Sequence, residues 1–385
     1  MLLLVLALSI SACAVVPHKL NNDQRDEDRY FVRRVEALTA TKHRSWDLSA
    51  VAVTAGDFQS FGAKRFSRGD LVKLSIPSMK DYNGIYQINS VGSLELPFNE
   101  NVLATGLTAQ QLTKKVKRLL VDKGWFREPD FILNISLVQE SAIEVSVYGA
   151  VFNPGRVIIN ETPVDKPQEP VLQETGAFSS ERDLTAAIRA AGGLRPDAKA
   201  SHIMIKRDSK VHRFDLTSVV DGQLLPFIPH LINGDQVFVV SNGVENTNLI
   251  RPSQLTPPGM RVLMSNLTAP TLSNALSAVG ADSTRLPYGS SLLDAAVSAN
   301  CVGGTHQANA SRAILLITRH YGSKQQIVLK RTINELLATS SDSLMNPFLM
   351  PNDGIACYDS RFTNIRDIAR GVGELFGPII LGGIL

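Results

Sequence analysis

Seven histidines, three cysteines and a recurring aspartate are the residues whose chemistry could define this chain, and their spacing limits what each can do. His18, His43, His202, His212, His230, His306 and His320 stand singly, without the close spacing that puts two imidazoles on one metal ion. No Gly-x-Ser-x-Gly elbow offers a nucleophile. Gly192-Gly193 and Gly303-Gly304 sit at the ends of helical patterns, where a left-handed backbone terminates the helix, rather than in a loop shaped for phosphate. Such a chain is expected to be no enzyme and to need no cofactor or metal. Asp70, Asp235 and Asp353 each follow Gly or Asn and each precede an apolar run. They could form a repeated metal or sugar site, but Asp behind Gly or Asn in a tight turn bonds its own backbone, and that is the reading the spacing favours. Cys13 ends the apolar run Leu2 to Ile10 through Ile10-Ser11-Ala12-Cys13, small residues leading to a thiol that can be acylated. The run is too short to span a bilayer and reads as a signal segment, 1–12.

Several elements must position these residues. Behind Gly69-Asp70, the run Leu71-Val72-Lys73-Leu74-Ser75-Ile76 alternates as a half-buried strand. Ile85 to Asn89 reads as a second strand, and Gly92 to Pro97 as a turn into a third. Thr108 to Leu120 has the period of an amphipathic helix, and Phe131 to Ile135 reads as a closing strand. A new domain starts at Ile143 to Gly149, with Asn153-Pro154-Gly155 turning into the next strand. Asp183 is placed to cap a short Ala-rich helix ended by Gly192-Gly193. Strands at Ile203 to Arg207 and His212 to Leu216 follow, and Asn233-Gly234-Asp235 turns into Gln236 to Val240. The order then recurs: Asp294 to Ala299 with Gly303-Gly304, Ala313 to Arg319, Gln326 to Leu329, and Asn352-Asp353 into Gly354 to Tyr358. Val15 to Arg65 reads as a polar tether or as an edge of the first domain, and Val244 to Tyr288 as a link between the copies.

Composition bounds the class. At 385 residues, 44% hydrophobic and 19% charged, the chain is ordinary globular material for roughly two or three domains. A net charge of +3 is too small to argue for nucleic acid, and no dense Lys/Arg run of the kind that tracks phosphates stands out.

The ordered set from Arg68-Gly69-Asp70 through Gly92 to Pro97, Gly106-Leu107-Thr108 and the helix behind it resembles the N-terminal module of outer-membrane polysaccharide export proteins, the capsule and exopolysaccharide translocons. The repeated order after it resembles the soluble-ligand-binding β-grasp (SLBB) module that follows in this family. Ile10-Ser11-Ala12-Cys13 is similar to a bacterial lipobox, and Ala14 stands where an inner-membrane retention signal would place Asp. The resemblance implies an α+β fold with an export module, two β-grasp-like (SLBB) domains and a C-terminal amphipathic helix forming an oligomeric α-helical barrel. The corresponding segments are a signal peptide at 1–12, a tether at 13–65, the export domain at 66–140, the first β-grasp domain at 141–243, a linker and second, diverged copy at 244–360, and the helix at 361–385. It also implies a lipoprotein acylated at Cys13, anchored in the outer membrane with a mostly periplasmic body. Several copies would form a passive channel carrying polysaccharide to the cell surface, against an inner-membrane polysaccharide co-polymerase. The alternative is a periplasmic lipoprotein adapter or glycan-binding module without a pore.

On a helix at 361–385, Ile365, Ile368, Val372, Leu375, Phe376 and Ile379 fall on one face, expected toward lipid. Arg366, Arg370 and Glu374 fall opposite and are expected to line water, while Ala369, Gly373 and Gly377 follow a flank where neighbours approach closely. Pro378 kinks or ends the helix. In such a periplasmic body, Cys301 and Cys357 would be the remaining cysteines, either bridged or held as two buried thiols.

Overall fold

Alternation and capping produce a set of small sheets with short helices, giving a mixed α+β chain. The computed structural model describes residues 53–55, 61–97, 99–127, 132–161, 181–223, 227–243, 246–266, 285–299, 301–302, 312–319 and 326–358. The chain divides into two compact units, one of Leu38–Met260 with Leu286–Gly289, the other of Met1–Ala37, Arg261–Arg285 and Ser290–Leu385.

In the first unit, strand β1 (Val53–Ala55) precedes a small module made of β2 (Leu71–Ser75), β3 (Gly84–Gln87), β4 (Ser93–Glu95), β5 (Asn101–Leu103), α1 (Ala109–Asp122) and β6 (Asn134–Gln139). β2 lies between β3 and β6, antiparallel to both. Its alternation points Val72 and Leu74 inward and leaves Lys73 exposed. α1 starts where Thr108 and Gln111 form a reciprocal capping box, and Leu112, Val116 and Leu120 make its buried stripe. It stops at Gly124, whose φ of +78° lets the Trp125 amide reach the Leu120 carbonyl at 3.0 Å. The stripe packs with Phe66, Val72, Leu74, Ile88 and Leu94 in one apolar core. β6 begins later than the expected Phe131–Ile135 strand, because its pairing runs on past Ile135 to set Leu137 opposite Val72. β5 was not expected, as three residues with one buried side chain, Val102, carry no readable period.

The same unit continues with β7 (Ile143–Gly149), β8 (Gly155–Ile159), α2 (Leu184–Ala190), β9 (Ala198–Arg207), β10 (Lys210–Phe214), α3 (Thr217–Val220) and β11 (Gln236–Ser241). They form a six-stranded sheet in the order β1-β10-β9-β11-β7-β8. β11 runs parallel to β7 and antiparallel to β9, and β9 antiparallel to β10. Asp183 caps α2 by accepting from the Ala186 amide at 2.8 Å. Gly149, at φ +89°, lies so close to the Val239 carbonyl that a Cβ would collide with it.

The tether reading of 13–65 fails at its C-terminal end. β1 pairs in parallel with β10, Val53 opposite Val211, and Phe61 is 1% exposed in the sheet's core, its ring 4.9 Å from that of Phe214. The edge of β10 offers unpaired backbone groups and Phe61 offers a large apolar ring, so this stretch gains more by joining the sheet than by staying in solvent.

In the rest of the chain, β12 (Met260–Arg261) precedes β13 (Leu263–Asn266), β14 (Arg285–Leu286), α4 (Leu292–Ser298), β15 (Ala313–Arg319), β16 (Gln326–Thr332), α5 (Ile333–Ala338) and β17 (Gly354–Tyr358). The second unit's sheet has the order β13-β17-β15-β16, with β13 parallel to β17 and the other two pairings antiparallel. That is the order and sense of β7-β11-β9-β10. Backbone bonds repeat with it: Leu184 N to Pro229 O and Leu292 N to Pro347 O, each 2.9 Å, then Leu231 N to Arg182 O at 2.8 Å and Leu349 N to Ser290 O at 2.9 Å. α4 begins two residues before the expected Asp294, because Ser291 and Asp294 close a capping box. Gly303-Gly304 lie outside the described residues. The bond that Gly193 makes to Ile188 in the first sheet is made in the second by Cys301 to Ala296.

Candidate functional site

Ser67-Arg68-Gly69-Asp70, Ile232-Asn233-Gly234-Asp235 and Met350-Pro351-Asn352-Asp353 fold into the same turn. In each, the aspartate Oδ2 accepts the amide hydrogen of the residue three before it, at 2.7, 2.9 and 2.8 Å in chain order. The aspartate amide returns a bond to that residue's carbonyl. The penultimate residue must take positive φ, +84° at Gly69, +88° at Gly234 and +69° at Asn352, which Gly and Asn tolerate. Each turn launches a strand, β2, β11 or β17.

Among the described residues, Asp70 and Asp235 each also hold an arginine brought from elsewhere in the chain. Arg182, just ahead of α2, donates from Nη1 to Asp70 Oδ1 at 2.7 Å, and both side chains are fully buried. Its Nη2 donates to Ser67 Oγ at 2.6 Å and to the Arg65 carbonyl at 3.3 Å. Asp70 Oδ1 further accepts from the Ser141 amide at 2.9 Å, and the Ser141 hydroxyl lies 2.9 Å from it and 2.6 Å from the Arg68 carbonyl. Arg207 forks onto Asp235 at 2.6 and 3.0 Å, donates to the His230 carbonyl at 2.8 Å, and lies 4.2 Å over the Phe61 ring. Nearby, His230 Nε2 and Glu140 Oε1 lie 2.8 Å apart, both residues' side chains under a tenth exposed, and Lys64 reaches Glu140 at 3.4 Å.

The Arg182–Asp70 and His230–Glu140 contacts form a polar joint between the three-stranded module and the six-stranded sheet, while Arg207–Asp235 ties β9 to the turn before β11 within that sheet. Desolvating a charge is costly, so each buried carboxylate here is matched by donors in a fixed geometry. An arrangement whose oxygens are committed in this way orients two modules; it does not present a nucleophile, and Asp70 and Asp235 do not form a ligand cluster. Among the described residues, no group of three or more His, Cys, Asp or Glu side chains is disposed to hold a metal. Asp197 follows the same logic at the start of β9. Burial pushes its pKa up, but the Arg195 fork at 2.8 and 2.6 Å and the Ser241 hydroxyl outweigh burial and bring it below the ordinary carboxylate value. Tyr288 donates to the Gly192 carbonyl at 2.6 Å, and burial raises its pKa, so it stays a donor.

Of the residues singled out from sequence, Cys301 and Cys357 are brought together. They form a disulfide, with Cα atoms 5.9 Å apart, that joins the end of α4 to β17. Cys13 lies outside the described residues, as do Arg366, Arg370 and Glu374 with the apolar face from Ile365 to Ile379. Among the described residues no helix is long and apolar enough to cross a membrane.

Arg182 and Arg207 were missed because their partners are remote in sequence, 112 residues for Arg182 and Asp70 and 28 for Arg207 and Asp235. Pro229-His230-Leu231 and Pro347-Phe348-Leu349 were a legible repeat signal ahead of two of the Asp turns. Also missed was the cationic run Lys114-Lys115-Val116-Lys117-Arg118, which corrects the expectation of no dense basic stretch: Val116 is buried, Lys117 half-buried, and Lys114, Lys115 and Arg118 are exposed on α1. No family model matches the chain, and no curated protein matches it.

Proposed function

We propose that this chain is a lipid-anchored subunit of a homo-oligomeric outer-membrane channel that carries polysaccharide from the periplasm to the cell surface. The observation that carries the reading is the order of parts: a small module opened by an Asp turn, then two sheets with one strand order, the last strand of each launched by the same turn. An export domain at 66–140 followed by β-grasp-like (SLBB) domains at 141–243 and 244–360 accounts for that order. A polar joint that fixes one module against the next suits a rigid wall subunit better than a flexible adapter. In this reading Cys13 carries the lipid, 361–385 forms the amphipathic helix of an α-helical barrel, and the inner-membrane partner is a polysaccharide co-polymerase.

The test is removal of Arg361–Leu385. The truncated protein is expected to fold, to be acylated at Cys13 by mass spectrometry of its N-terminus, and to leave cells without surface polysaccharide. Detergent-extracted full-length protein is expected to show rings in negative stain, and the truncated protein none through the membrane zone. Surface polymer from the truncated protein, with no rings from the full chain, would establish the adapter reading instead.

A further inference from the structure

An open cavity at the end of the six-stranded sheet is lined by polar groups that the fold itself does not use. It has a volume of about 190 Å³ and lies between the β9–β10 turn, Lys206 to Ser209, and the Asp turn with the start of β11, Ile232 to Gln236. Lys206 and Gln236 are cross-strand partners on β9 and β11, so their side chains share a face of the sheet. Among the described residues, the side chains of Lys206, Asp208, Ser209 and Gln236 make no hydrogen bond or ion pair within the protein. Asn233 Oδ1 accepts from the Glu144 amide at 3.0 Å, which leaves its NH2 group as a donor. A Cβ added at Gly234 would meet no atom within 4 Å, so the backbone there is open to a ligand.

The β9–β10 turn is not the most stable one its geometry allows. Asp208 and Ser209 take φ of +48° and +66°. A two-residue hairpin turn needs positive φ at both positions, and Asn-Gly meets that need with least strain. A carboxylate and a hydroxyl at these positions sacrifice stability and keep two side chains at the cavity, which is how strain is distributed at functional sites.

We infer that this cavity binds one neutral sugar ring. The inference rests on the export reading and names a neutral sugar unit as part of the exported polymer. Lys206 and Asp208 carry opposite charges, and Arg207 and Asp235 answer each other, so the lining has no net field that selects an anion or a cation. Sugar hydroxyls each donate and accept. They match the Lys206 ammonium and the Asn233 NH2 as donors, the Asp208 carboxylate as acceptor, and Ser209 and Gln236 as both. Ile232 offers an apolar surface to the ring C–H groups. Sites that enclose drug-sized ligands run to about 300–1,000 Å³, so 190 Å³ takes a single ring, and the open mouth lets a polymer continue outside.

The experiment is saturation-transfer NMR on the full-length protein in a sugar-free detergent. The probes are the methyl glycosides of glucose, galactose, mannose and N-acetylglucosamine, with alanine as a zwitterion. At least one glycoside is expected to bind, with a millimolar Kd set by its few atoms and with no dependence on salt. Asp208→Asn with Ser209→Gly installs the Asn-Gly turn. It is expected to raise Tm, because strain is relieved, and to weaken glycoside binding about tenfold through loss of the hydroxyl and of a charged acceptor. Lys206→Met keeps the apolar stem and is expected to weaken binding severalfold at unchanged Tm. A turn with a purely structural role would show the gain in Tm without the loss of binding. No glycoside bound, glycoside binding unaltered by both variants, or alanine bound in place of every glycoside would overturn the inference. The two readings separate in cells. Surface polymer lost on removal of Arg361–Leu385, with no glycoside bound, leaves the export reading standing without this site; turn-dependent binding in a protein dispensable for surface polymer does the reverse.

Discussion

Replacing Arg182 with Met removes the guanidinium from a site where neither it nor Asp70 has any exposure to solvent. Asp70 would keep the Ser67 amide at 2.7 Å and the Ser141 amide at 2.9 Å, with the Ser141 hydroxyl shared between it and the Arg68 carbonyl, so its carboxylate is not stranded outright. It nevertheless loses its counter-charge inside the protein, and breaking one side of a buried pair costs about 3–5 kcal/mol. Asp70→Asn fails from the other side, leaving Arg182 with the Ser67 hydroxyl and the Arg65 carbonyl. If the pair acts as a pair, Arg182→Met with Asp70→Asn costs less than the two single changes together, by about 2 kcal/mol or more. In a Trp46→Phe background, urea unfolding followed by Trp125 fluorescence reports the module that Asp70 belongs to, and a shift in midpoint at constant slope gives the energy. Arg182→Lys keeps the charge but cannot reach three acceptors with one ammonium, so an intermediate loss is expected. A cost below about 1 kcal/mol for Arg182→Met, the range of exposed pairs, would refute the view of this contact as a dry joint.

Reduction of Cys301–Cys357, 56 residues apart, is expected to lower the stability of the second sheet by about 4 kcal/mol, read as a shift in its denaturation midpoint with and without reductant. Recovery of both cysteines as alkylatable thiols from unreduced protein would contradict the bridge. Gly149→Ala forces a side chain against the Val239 carbonyl at positive φ and is expected to cost about 3 kcal/mol or more, seen as lost thermal stability and faster amide exchange in β7 and β11. Asp197 has a folded pKa below its ordinary 3.8, so its contribution is complete above that value and is lost as pH falls through the lowered one. Asp197→Asn should therefore flatten the acid limb of the stability curve below about pH 4 while the parent still steepens there.

Which features can be read from the chain follows from how far apart their causes lie. The Asp183 cap, the Ile143–Gly149 strand and the Ala313–Arg319 strand rest on residues within one or two turns of each other, and the structure places all three where the pattern does. α3 and α5 were missed although α5 has a full capping box, Thr332 with Glu335, because six residues are too few to show a helical period. β1 was missed for another reason: Val53–Ala55 is a strand only because β10 presents an edge more than 150 residues later, and nothing local to it says so.

The three Asp turns carry the same division to the polar joint. What the turn itself needs is local, a residue that accepts positive φ and an aspartate after it, and so it repeats three times in readable form. What the aspartate does with its other oxygen depends on chain remote from the turn, Arg182 for Asp70 and Arg207 for Asp235. In the first sheet the position before the α2 cap is Arg182 and the residue after Pro229 is His230, and these two reach Asp70 and Glu140 of the smaller module. The backbone bonds that align the copies put Ser290 and Phe348 at the same two positions of the second sheet. Neither can carry a charge into a dry joint. The duplicated fold therefore retains its turn, its cap and its strand order, while the side chains that select a neighbour have changed. Grafting Arg and His onto positions 290 and 348 would add two groups while Asp70 and Glu140 of the smaller module are already committed to Arg182 and His230. The selectivity of the first sheet for the small module thus resides in a few side chains on a shared backbone, and in the carboxylates that await them.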